Sequence, residues 1–264
     1  MLEDHHLVRL RATRFAEVRW FEDIGSTNDW VMDQARSGAA EGLVAVADHQ
    51  SEGRGRRDRR WVAPPGSSLL FSILLRPELA VSRLHLTAAA VGLSASAACA
   101  DVCGVEPDLK WPNDLLVNER KLAGILSESL VGGEGPSAAV VVGTGINVNW
   151  PPVLPADLAH LATALNREAG RDVDRAELLV AMLENLDDYL DDWAAVAHDY
   201  KSRCATVGRD VRVDLGSRGI LDGTAVGVTD DGLLEVEDHN GRTVTIAVGD
   251  VVHLRQGEVS AGET

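Results

Sequence analysis

The chain has 264 residues, 45% of them hydrophobic and 25% charged, which is ordinary for a globular protein with a substantial core. Its 25 basic and 41 acidic residues give a formal net charge of −16, which disfavours binding to nucleic acid. No apolar run approaches the roughly 20 residues that span a bilayer, and the N-terminus lacks the basic-then-apolar order of a signal peptide, so we expect a cytoplasmic protein without a membrane partner.

The first hundred residues predict strands that alternate with helices. Ser26 is a suitable N-cap for a helix over 27–37, which Gly38 would end. The alanine-rich segment 81–102 lacks a polar face of normal width, so we expect a central, buried helix. Alternating or continuous apolar residues predict strands over 17–23, 43–47 and 68–75.

The rest of the chain predicts a hairpin, helices and a β-rich end. The hairpin strands cover 114–117 and 121–130, with a turn at 118–120. A glycine-rich turn is expected at 132–136, an apolar strand at 138–142, and helices over 156–167 and 175–203. Short β-like runs predict a small barrel of about fifty residues, and they cover 211–213, 223–228, 233–236, 243–246 and 251–254.

Five of the seven residues from 54 to 60 are arginines, in a chain that is otherwise strongly acidic. Each guanidinium offers a planar fork of donors that matches phosphate or carboxylate. We expect Gly53 and Gly55 to take positive φ and to let the backbone approach a ligand closely. A solvated, disordered charge run is the default interpretation of the charges alone. The glycines and the acidic surroundings instead favour a loop that binds one small anionic ligand.

Four other segments carry polar residues at or near the ends of predicted elements. The Gly-Ser-Thr-Asn segment at 25–28 lies where a strand meets a helix, so helix capping is its simplest role and ligand binding the alternative. The Lys-Trp-Pro-Asn-Asp segment at 110–114 and the Lys-Leu-Ala-Gly-Ile-Leu segment at 121–126 belong to the hairpin. The Gly-Thr-Gly-Ile-Asn segment at 143–147 lacks the third glycine of a dinucleotide-binding fingerprint.

The combination and order of these segments resemble the biotin protein ligases. The resemblance covers residues 20–150, and the β-rich end matches the C-terminal module of that family in size and place. These enzymes join biotin to a lysine of a carrier protein by way of biotinyl-5′-adenylate. The arginine segment departs from the family at Asp58, where glycine is usual, and at Glu52, where a small residue is usual. Either carboxylate can pair with the arginines and weaken the net charge of the loop.

The resemblance implies an α+β fold, with a mixed sheet and flanking helices as in the class II synthetases, and a small SH3-like β-barrel at the C-terminus. The expected domains are 1–204 for catalysis, 205–256 for the barrel and 257–264 for a disordered tail. Some members of the family carry a DNA-binding helix-turn-helix before the catalytic domain. Only about 25 residues precede Ser26, so we expect the form that lacks this domain and does not act as a repressor.

Carried over residue by residue, the resemblance also implies the site. Lys121 would hydrogen-bond the biotin carboxylate and stabilise developing charge, with Arg56 and Asp114 as further catalytic residues. Trp61 and Asn147 would lie at the adenine. The residues implied in binding biotin are Ser26, Thr27, Asn28, Gln50, Gly53, Arg54, Gly55, Arg56, Lys121, Gly124 and Leu126. The residues implied in binding ATP are Arg54, Arg56, Arg57, Arg59, Trp61, Lys110, Asn113 and Asn147.

The implied cosubstrate is ATP with Mg²⁺, and the implied partner is the biotin carboxyl carrier protein or domain of an acyl-CoA or pyruvate carboxylase. No protein ligand of a metal is assigned, and we expect a monomer or a weak homodimer. Asn113 and Asp114 would either orient the metal-bound triphosphate or activate the incoming lysine, and the sequence does not separate these roles. The alternative functions are acyl transfer of the lipoate ligase kind and a non-catalytic biotin- or carrier-binding module.

Overall fold

Two β-sheets organise the structure, a computed structural model that describes residues 1–130, 139–152, 158, 160–247 and 249–254. The larger sheet is formed by β1 (Val18–Ile24), β2 (Val44–Gln50), β3 (Ser68–Leu75), β4 (Asp108–Lys110), β5 (Asp114–Val117), β6 (Arg120–Leu130) and β7 (Ala139–Asn147). Its strands lie in the order β1-β2-β3-β7-β6-β5-β4. Only β1 and β2 pair in parallel, and the other neighbours in this sheet are antiparallel.

The described helices pack on both faces of this sheet. They are α1 (Asp4–Leu10), α2 (Thr27–Arg36), α3 (Leu86–Cys103), α4 (Leu165–Ala169), α5 (Arg175–Leu190) and α6 (Trp193–Arg203). α2 connects the parallel strands β1 and β2 and packs against β2, β3 and β7. α3 packs against β6 and β7 and also against α5 and α6. All residues of β3 are therefore buried, because helices cover this central strand from both sides.

The N-terminal turn of α2 explains why this helix begins where the sequence predicts. The hydroxyl oxygen of Ser26 accepts a hydrogen bond from the backbone N–H of Asp29 at 3.3 Å, as an N-cap side chain does. The helix buries Val31, Met32 and Ala35 against a small apolar cluster on the sheet. The predicted helix and its N-cap are confirmed. The cap places the next two residues, Thr27 and Asn28, against the face of the sheet, where both are buried.

The helix predicted over 175–203 is two helices, α5 and α6. Asp174 caps the first and Asp192 the second, and each carboxylate accepts hydrogen bonds from two backbone N–H groups of the following turn. A short polar side chain competes for backbone hydrogen bonds and so favours a helix start over a helix interior. The apolar periodicity continues across the break, which is why the sequence pattern alone suggested one helix.

Two further expectations need correction. The helix predicted over 156–167 is wrong for 160–164, which are not helical, and residues 153–157 and 159 lie outside the described residues. The strand predicted over 138–142 continues to Asn147 as β7, because β3 and β6 pair with it along almost its whole length. The turn predicted at 132–136 lies outside the described residues.

The N-terminal helix α1 was not predicted, because seven residues carry too little periodicity to be recognised. It is held by ion pairs that are distant in sequence. The guanidinium of Arg9 lies 2.6 Å from the carboxylate of Glu177 and 2.5 Å from that of Glu184, both on α5. α1 therefore depends on tertiary contacts rather than on local propensity.

The smaller sheet, which we call the C-terminal β-module, is antiparallel throughout. It is formed by β8 (Asp210–Asp214), β9 (Ile220–Val228), β10 (Leu234–Asp238), β11 (Thr243–Ile246) and β12 (Asp250–His253), in the order β11-β10-β9-β8-β12. Each of the five predicted β runs corresponds to one of these strands. Together with the mixed sheet and its helices, the module confirms the predicted α+β class.

Trp111 makes two buried hydrogen bonds that join the larger sheet to the C-terminal part of the chain. One reaches the segment before the β-module, and the other reaches the module itself. The backbone N–H of Trp111 donates to the hydroxyl oxygen of Thr206 at 3.0 Å, and its indole N–H donates to the carbonyl oxygen of Gly232 at 3.0 Å. Trp111 lies between β4 and β5, two residues before Asn113. The module is thus attached close to the residues that the sequence analysis assigns to catalysis.

One helical segment, Val81–Cys103, is long and apolar enough to cross a membrane by length and composition, with a mean hydropathy of 1.5. The expectation that no apolar run has this length is therefore wrong. The segment contains α3, which lies between the sheet and α5, and most of it is buried. Its hydrophobicity is accounted for by its place at the centre of the core.

Replacing Trp111 by phenylalanine should lower the free energy of unfolding by about 1 kcal/mol, because the buried carbonyl of Gly232 loses its donor. Urea unfolding followed by circular dichroism measures this change. Trp193→Phe, at a half-buried tryptophan, is the control and should leave the unfolding free energy nearly unchanged. Equal effects of the two substitutions would contradict a role for the indole hydrogen bond.

Candidate active site

A cavity of about 260 Å³, the main cavity, lies on the larger sheet between the N-terminus of α2 and the arginine-rich segment. It is somewhat below the range of about 300–1,000 Å³ that is usual for small-molecule pockets. Residues from both sheets contribute to its walls. The lining residues used below are Ser26, Thr27, Asn28, Gln50, Arg54, Gly55, Arg56, Arg59, Arg60, Trp61, Asn113, Asp114, Lys121, Gly124, Leu126, Gly143, Thr144, Gly145 and Asp250.

One end of the main cavity is a buried network of hydroxyl and amide groups. The backbone N–H of Thr27 donates to Gln50 Oε1 at 2.7 Å, and the hydroxyl oxygen of Thr27 lies 3.0 Å from the same atom. Ser72 Oγ on β3 lies within 2.7 Å of the Thr27 hydroxyl and 2.6 Å of Asn28 Oδ1. Asn28 Nδ2 donates to Glu128 Oε2 at 2.8 Å. These contacts fix the orientation of each polar group before a ligand arrives.

The floor of the main cavity is made of glycines on β6 and β7. Gly124 and Gly145 are paired across the two strands. A Cβ atom on Gly145 would lie 2.5 Å from the Trp61 ring, and one on Gly143 would lie 2.0 Å from Asn28 Oδ1. Because real Cβ atoms do not approach other atoms so closely, only glycine fits at these two positions. The space above each glycine is therefore taken by a neighbouring side chain, Trp61 or Asn28.

Two buried polar atoms in the walls have no hydrogen-bond partner among the described residues. They are the hydroxyl oxygen of Thr144 and the indole nitrogen of Trp61. Buried polar groups are nearly always paired, so unpaired ones next to a cavity indicate that a ligand supplies the partner. Both atoms belong to residues that line the main cavity.

The arginine-rich segment forms a short hairpin, which we call the arginine loop (residues 53–61). Arg54 and Arg60 are paired as in an antiparallel ladder, and the backbone N–H of Trp61 donates to the Gly53 carbonyl at 2.9 Å. The expected positive φ at Gly53 and Gly55 is wrong. Positive φ occurs at Arg57 and Asp58 instead, where the chain turns.

Glycine is nevertheless required at position 53, because a Cβ there would lie 2.4 Å from the carbonyl oxygen of Trp61. Asp58 has a φ of 58°, a value that glycine adopts freely and that aspartate tolerates better than most residues. The glycine that the resemblance implies at this position would take the same backbone conformation without strain.

Each arginine of the loop contacts an acceptor within the protein. Arg54 reaches Asp29 and Glu128, both at 2.6 Å, and Arg60 donates to the carbonyl of Ser51 at 2.8 Å. The other three extend toward the C-terminal β-module. Their acceptors are Asp214 for Arg57, Asp250 for Arg59, and the carbonyl of Gly249, at 3.0 Å, for Arg56.

Lys121 and Asp114 form an ion pair at the edge of the main cavity, with 2.6 Å between Nζ and Oδ1. Beside this pair, Arg56 donates to Asn113 Oδ1 at 2.9 Å, and Asn113 Nδ2 donates to the carbonyl of Ile125 at 2.7 Å. Burial lowers the pKa of Arg56, although the carboxylates of Asp250 and Asp114 oppose the shift. The hairpin of β5 and β6 thus brings Lys121 and Asp114 together, and the arginine loop places Arg56 beside them.

A second space, the apolar groove of about 560 Å³, shares Arg60, Trp61 and Lys121 with the main cavity. Its walls include Trp61, Pro64, Trp150 and Leu158, and it reaches Lys121. Asn147, at its base, is buried and donates to the carbonyl of Thr163 at 3.0 Å. A groove lined by tryptophan and proline suits a planar aromatic ligand group.

A third space, the junction groove of about 660 Å³, lies between the hairpin and the C-terminal β-module. Lys121 and Asp114 form its inner end, and Lys110 and His253 belong to its walls. Burial lowers the pKa of Lys110. Burial, followed by the charge of Lys110, lowers the pKa of His253.

Most of the predicted site residues come together around the main cavity, but four do not line it. Gly53 closes the arginine loop, Arg57 is directed to Asp214, Lys110 lines the junction groove, and Asn147 lies below the apolar groove. The sequence analysis missed Thr144, Glu128 and Asp250. Thr144 lies within the segment 143–147 that the sequence analysis had singled out, and Glu128 lies within the strand predicted over 121–130. No sequence signal indicated Asp250.

The geometry defines a class of protein: an α+β enzyme with a cation at the meeting point of a polar cavity and an aromatic groove, suited to activating a carboxylic acid with a nucleotide. The model of the biotin/lipoate A/B protein ligase family matches residues 20–147, and that of the biotin protein ligase C terminal domain matches residues 206–254.

Individual relatives agree with these matches. The biotin--[acetyl-CoA-carboxylase] ligase of Mycobacterium tuberculosis is 37% identical over 243 residues, which cover 88% of this chain and 86% of the relative. The bifunctional ligase/repressor BirA of Bacillus subtilis is 31% identical, with 83% of this chain and 68% of the relative covered. The solved structure of a biotin protein ligase from Aquifex aeolicus in complex with biotin and ATP is similar at a TM-score of 0.78 and 28% identity, with 91% of this chain and all of that chain covered.

The chain therefore belongs to the biotin/lipoate A/B protein ligase family, and within it to the biotin protein ligases. It is a ligase that attaches biotin to protein in an ATP-dependent reaction. The predicted family, enzyme class and use of ATP and biotin are confirmed.

Replacing Gly145 by alanine should weaken biotin binding at least about fivefold, because the added methyl group displaces Trp61 and overpacking costs about 1–3 kcal/mol. Isothermal titration with biotin measures the change. Gly25→Ala is the matched control, since its Cβ would meet no atom closer than 3.7 Å. Unchanged biotin affinity in the Gly145 variant would show that the glycine floor does not shape the site.

Replacing Asp214 and Asp250 together by asparagine should speed trypsin cleavage at residues 54–60. The loop loses two exposed and individually weak ion pairs, so its open population should rise about two- to thirtyfold. Mass spectrometry of the early fragments gives the rate. Asp222→Asn, which breaks a pair with Arg212 inside the β-module, is the control. An unchanged rate in the double variant would mean that these carboxylates do not hold the loop.

Proposed function

We propose that the chain attaches biotin, through biotinyl-5′-AMP, to a lysine of the biotin carboxyl carrier domain of acetyl-CoA carboxylase, with pyruvate carboxylase as a second acceptor. The observation that carries the proposal is the position of Lys121, which lines the main cavity, the apolar groove and the junction groove alike. The names of the relatives from Mycobacterium tuberculosis and Paracoccus denitrificans support the choice of acetyl-CoA carboxylase.

Biotin occupies the main cavity with its ring system at the polar end. The uncharged cyclic urea needs donors and acceptors in fixed positions, and Thr27, Asn28 and Gln50 offer hydroxyl and amide groups already oriented by their neighbours. Thr144 brings an unpaired hydroxyl to the same cavity. The glycine floor lets Asn28 and Trp61 lie close to the sheet beside the ligand, and the aliphatic chain of biotin leads its carboxylate toward Lys121.

This polar end favours biotin over lipoate. A dithiolane ring forms only weak hydrogen bonds, so it would leave the hydroxyl and amide groups at this end without partners at a cost of about 1–3 kcal/mol for each buried group. A purely binding role is also disfavoured, because the ion pair of Lys121 and Asp114 lies where a ligand carboxylate would react.

ATP binds with its adenine in the apolar groove and its phosphates near Lys121. Trp61 lines both the main cavity and the apolar groove and offers its ring to the adenine. Arg56 and Arg59 line the main cavity, where they meet the phosphates, while Arg54 contacts the carboxylate side. Asn147 acts mainly by supporting the strand end that carries this groove.

Mg²⁺ fits the oxygen donors that the main cavity presents. Asp114 and Asp250 both line it, and carboxylate oxygens together with phosphate oxygens are the ligands that Mg²⁺ takes. When bound, the ion neutralises charge on the phosphates and orients them. Asp114 would be the principal protein ligand, because Asn113 Oδ1 already accepts from Arg56.

In the first half-reaction a biotin carboxylate oxygen attacks the α-phosphorus of ATP, and pyrophosphate leaves with the electron pair of the broken P–O bond. Both reactants are anions, so the barrier falls when cations surround the point of attack. Lys121 releases Asp114 and donates to the carboxylate and then to the acyl-phosphate oxygen. Arg56, held by Asn113 and Gly249, keeps a fixed guanidinium at the same point.

Several broader expectations remain proposals. Residues 1–204 form the catalytic unit and 205–256 the SH3-like unit, a division supported by the separate family matches at 20–147 and 206–254. We propose a cytoplasmic protein that is a monomer or weak homodimer. In the second half-reaction the lysine of the carrier domain attacks the adenylate, and AMP is released.

Lys121→Ala should reduce biotinyl-adenylate formation about 10²- to 10³-fold, because the developing charge loses a preorganised donor. Biotin-dependent exchange of labelled pyrophosphate into ATP measures this step. Lys201→Ala, at an exposed lysine paired with Asp230, is the control and should keep full exchange. Near-normal exchange in the Lys121 variant would reject the assignment.

A further inference from the structure

Two amide side chains at the polar end of the main cavity have orientations that the chemistry of their neighbours determines. The backbone N–H of Thr27 can only donate, so it selects the oxygen of the Gln50 amide, at 2.7 Å. The carboxylate of Glu128, which also pairs with Arg54, accepts, so it selects the nitrogen of the Asn28 amide, at 2.8 Å. Neither amide can exchange its oxygen and nitrogen without losing a hydrogen bond.

The oxygen of the Asn28 amide is held as well. Ser72 Oγ lies 2.6 Å from Asn28 Oδ1, and because a carbonyl oxygen cannot donate, the Ser72 hydroxyl donates to it. Ser72 is fully buried on β3. On β7, a Cβ atom at Gly143 would lie 2.0 Å from the same oxygen. Asn28 is therefore left with an N–H group, and not with an oxygen, to offer to a ligand.

The polar end of the main cavity thus presents hydrogen-bond donors. One N–H of Asn28 remains after the bond to Glu128, and the amide nitrogen of Gln50 remains after its oxygen has paired with Thr27. Both residues line the cavity, as does Arg54, whose guanidinium has only donors. A ring that carries a carbonyl oxygen satisfies these donors, whereas a ring with an N–H group in its place would leave donors facing donors.

Glu128 and Ser72 are not among the described residues that line the main cavity, so they act on a ligand through Asn28. Glu128 has a second partner, because Arg54 lies 2.6 Å from its carboxylate and 2.6 Å from that of Asp29. Arg54 therefore keeps one carboxylate if Glu128 is neutralised. The nitrogen of Asn28, in contrast, depends on Glu128 for its orientation.

We propose that Glu128 and Ser72 are positioning residues that set the substrate specificity of the polar end. By holding the Asn28 amide in one orientation, they make this end select a cyclic urea, with its carbonyl oxygen, over a cyclic guanidine, which carries an N–H group there. The inference rests on the proposed function, since it requires the ring of biotin to lie beside Asn28. It assigns specificity to two residues that do not touch the ligand.

The probe that tests this selection is 2-iminobiotin. It differs from biotin in having an imino nitrogen in place of the urea oxygen, and its cyclic guanidine is a cation near neutral pH, with donors only. Isothermal titration should show that the unchanged protein binds biotin at least about 100-fold more tightly than 2-iminobiotin, because a site built around one hydrogen-bond pattern rejects the other. We call this ratio of affinities the urea preference.

Glu128→Gln should lower the urea preference about tenfold, which corresponds to about one hydrogen bond. A glutamine amide can donate to Asn28 as well as accept, so the Asn28 amide can turn over and present its oxygen to the imino N–H group. In pyrophosphate exchange the KM for biotin should rise while kcat stays within about twofold, because Lys121 is unchanged. A change confined to KM is what a residue that orients a binding group should give.

Asp29→Asn is the matched control, because Asp29 contacts Arg54 at the same distance as Glu128 does but does not bond to the Asn28 amide. Loss of a carboxylate disfavours a cationic ligand, so charge alone should raise the urea preference in both variants. Rotation of the Asn28 amide should lower it in the Glu128 variant only. Desthiobiotin keeps the cyclic urea, so its affinity relative to that of biotin should stay within about twofold, whereas a general loosening of the cavity would change it.

Ser72→Ala serves as a second variant if Glu128→Gln does not fold. It should also lower the urea preference, because Asn28 Oδ1 then lacks its donor and can accept from the imino group. An unchanged or higher urea preference in the folded variants would overturn the inference, as would an equal fall in the Asp29 variant. Failure of the proposed function gives a different result, because the unchanged protein would then catalyse no biotin-dependent pyrophosphate exchange.

Discussion

Five guanidinium groups within seven residues repel one another. The acceptors that offset this repulsion fix the positions of the arginine side chains in the site. The chain supplies acceptors from three places. Arg54 contacts carboxylates at the start of α2 and on strand β6. Arg56 contacts Asn113 beside the hairpin, and the C-terminal β-module provides acceptors for Arg56, Arg57 and Arg59. Because most of these acceptors are exposed, each ion pair is weak by itself. The strong negative charge of the whole chain is compatible with a cluster of cations, since carboxylates contact three of the five arginines.

The β-module takes part in this balance rather than being a separate appendage. Asp250 lines the main cavity, Gly249 accepts from Arg56, and Trp111 ties the module to the hairpin that carries Lys121. A displacement of the module would alter the arginine loop and the junction groove together. This coupling ties the geometry of the main cavity to a small β-sheet that follows it in the chain.

Several features could be predicted because their causes are local. Ser26 caps α2 through its own next turn, the apolar run of β3 requires burial, and the turns of the β-module contain the glycines that they need. Others failed for equally physical reasons. The break between α5 and α6 depends on one aspartate within a continuous apolar pattern, and α1 depends on the ion pairs of Arg9 with a helix that lies more than 150 residues away.

For the site, the sequence by itself determined the chemistry: a lysine, a cluster of arginines, and hydroxyl and amide groups in an order that resembles one family of ligases. Only the tertiary structure decided which of these groups meet. Arg57 and Lys110 belong to the right segments but point to Asp214 and to the junction groove, and Asp250 enters the main cavity from a strand with no motif of its own. The residue types follow from local sequence, whereas the distances between them depend on how two sheets, far apart along the chain, pack against each other.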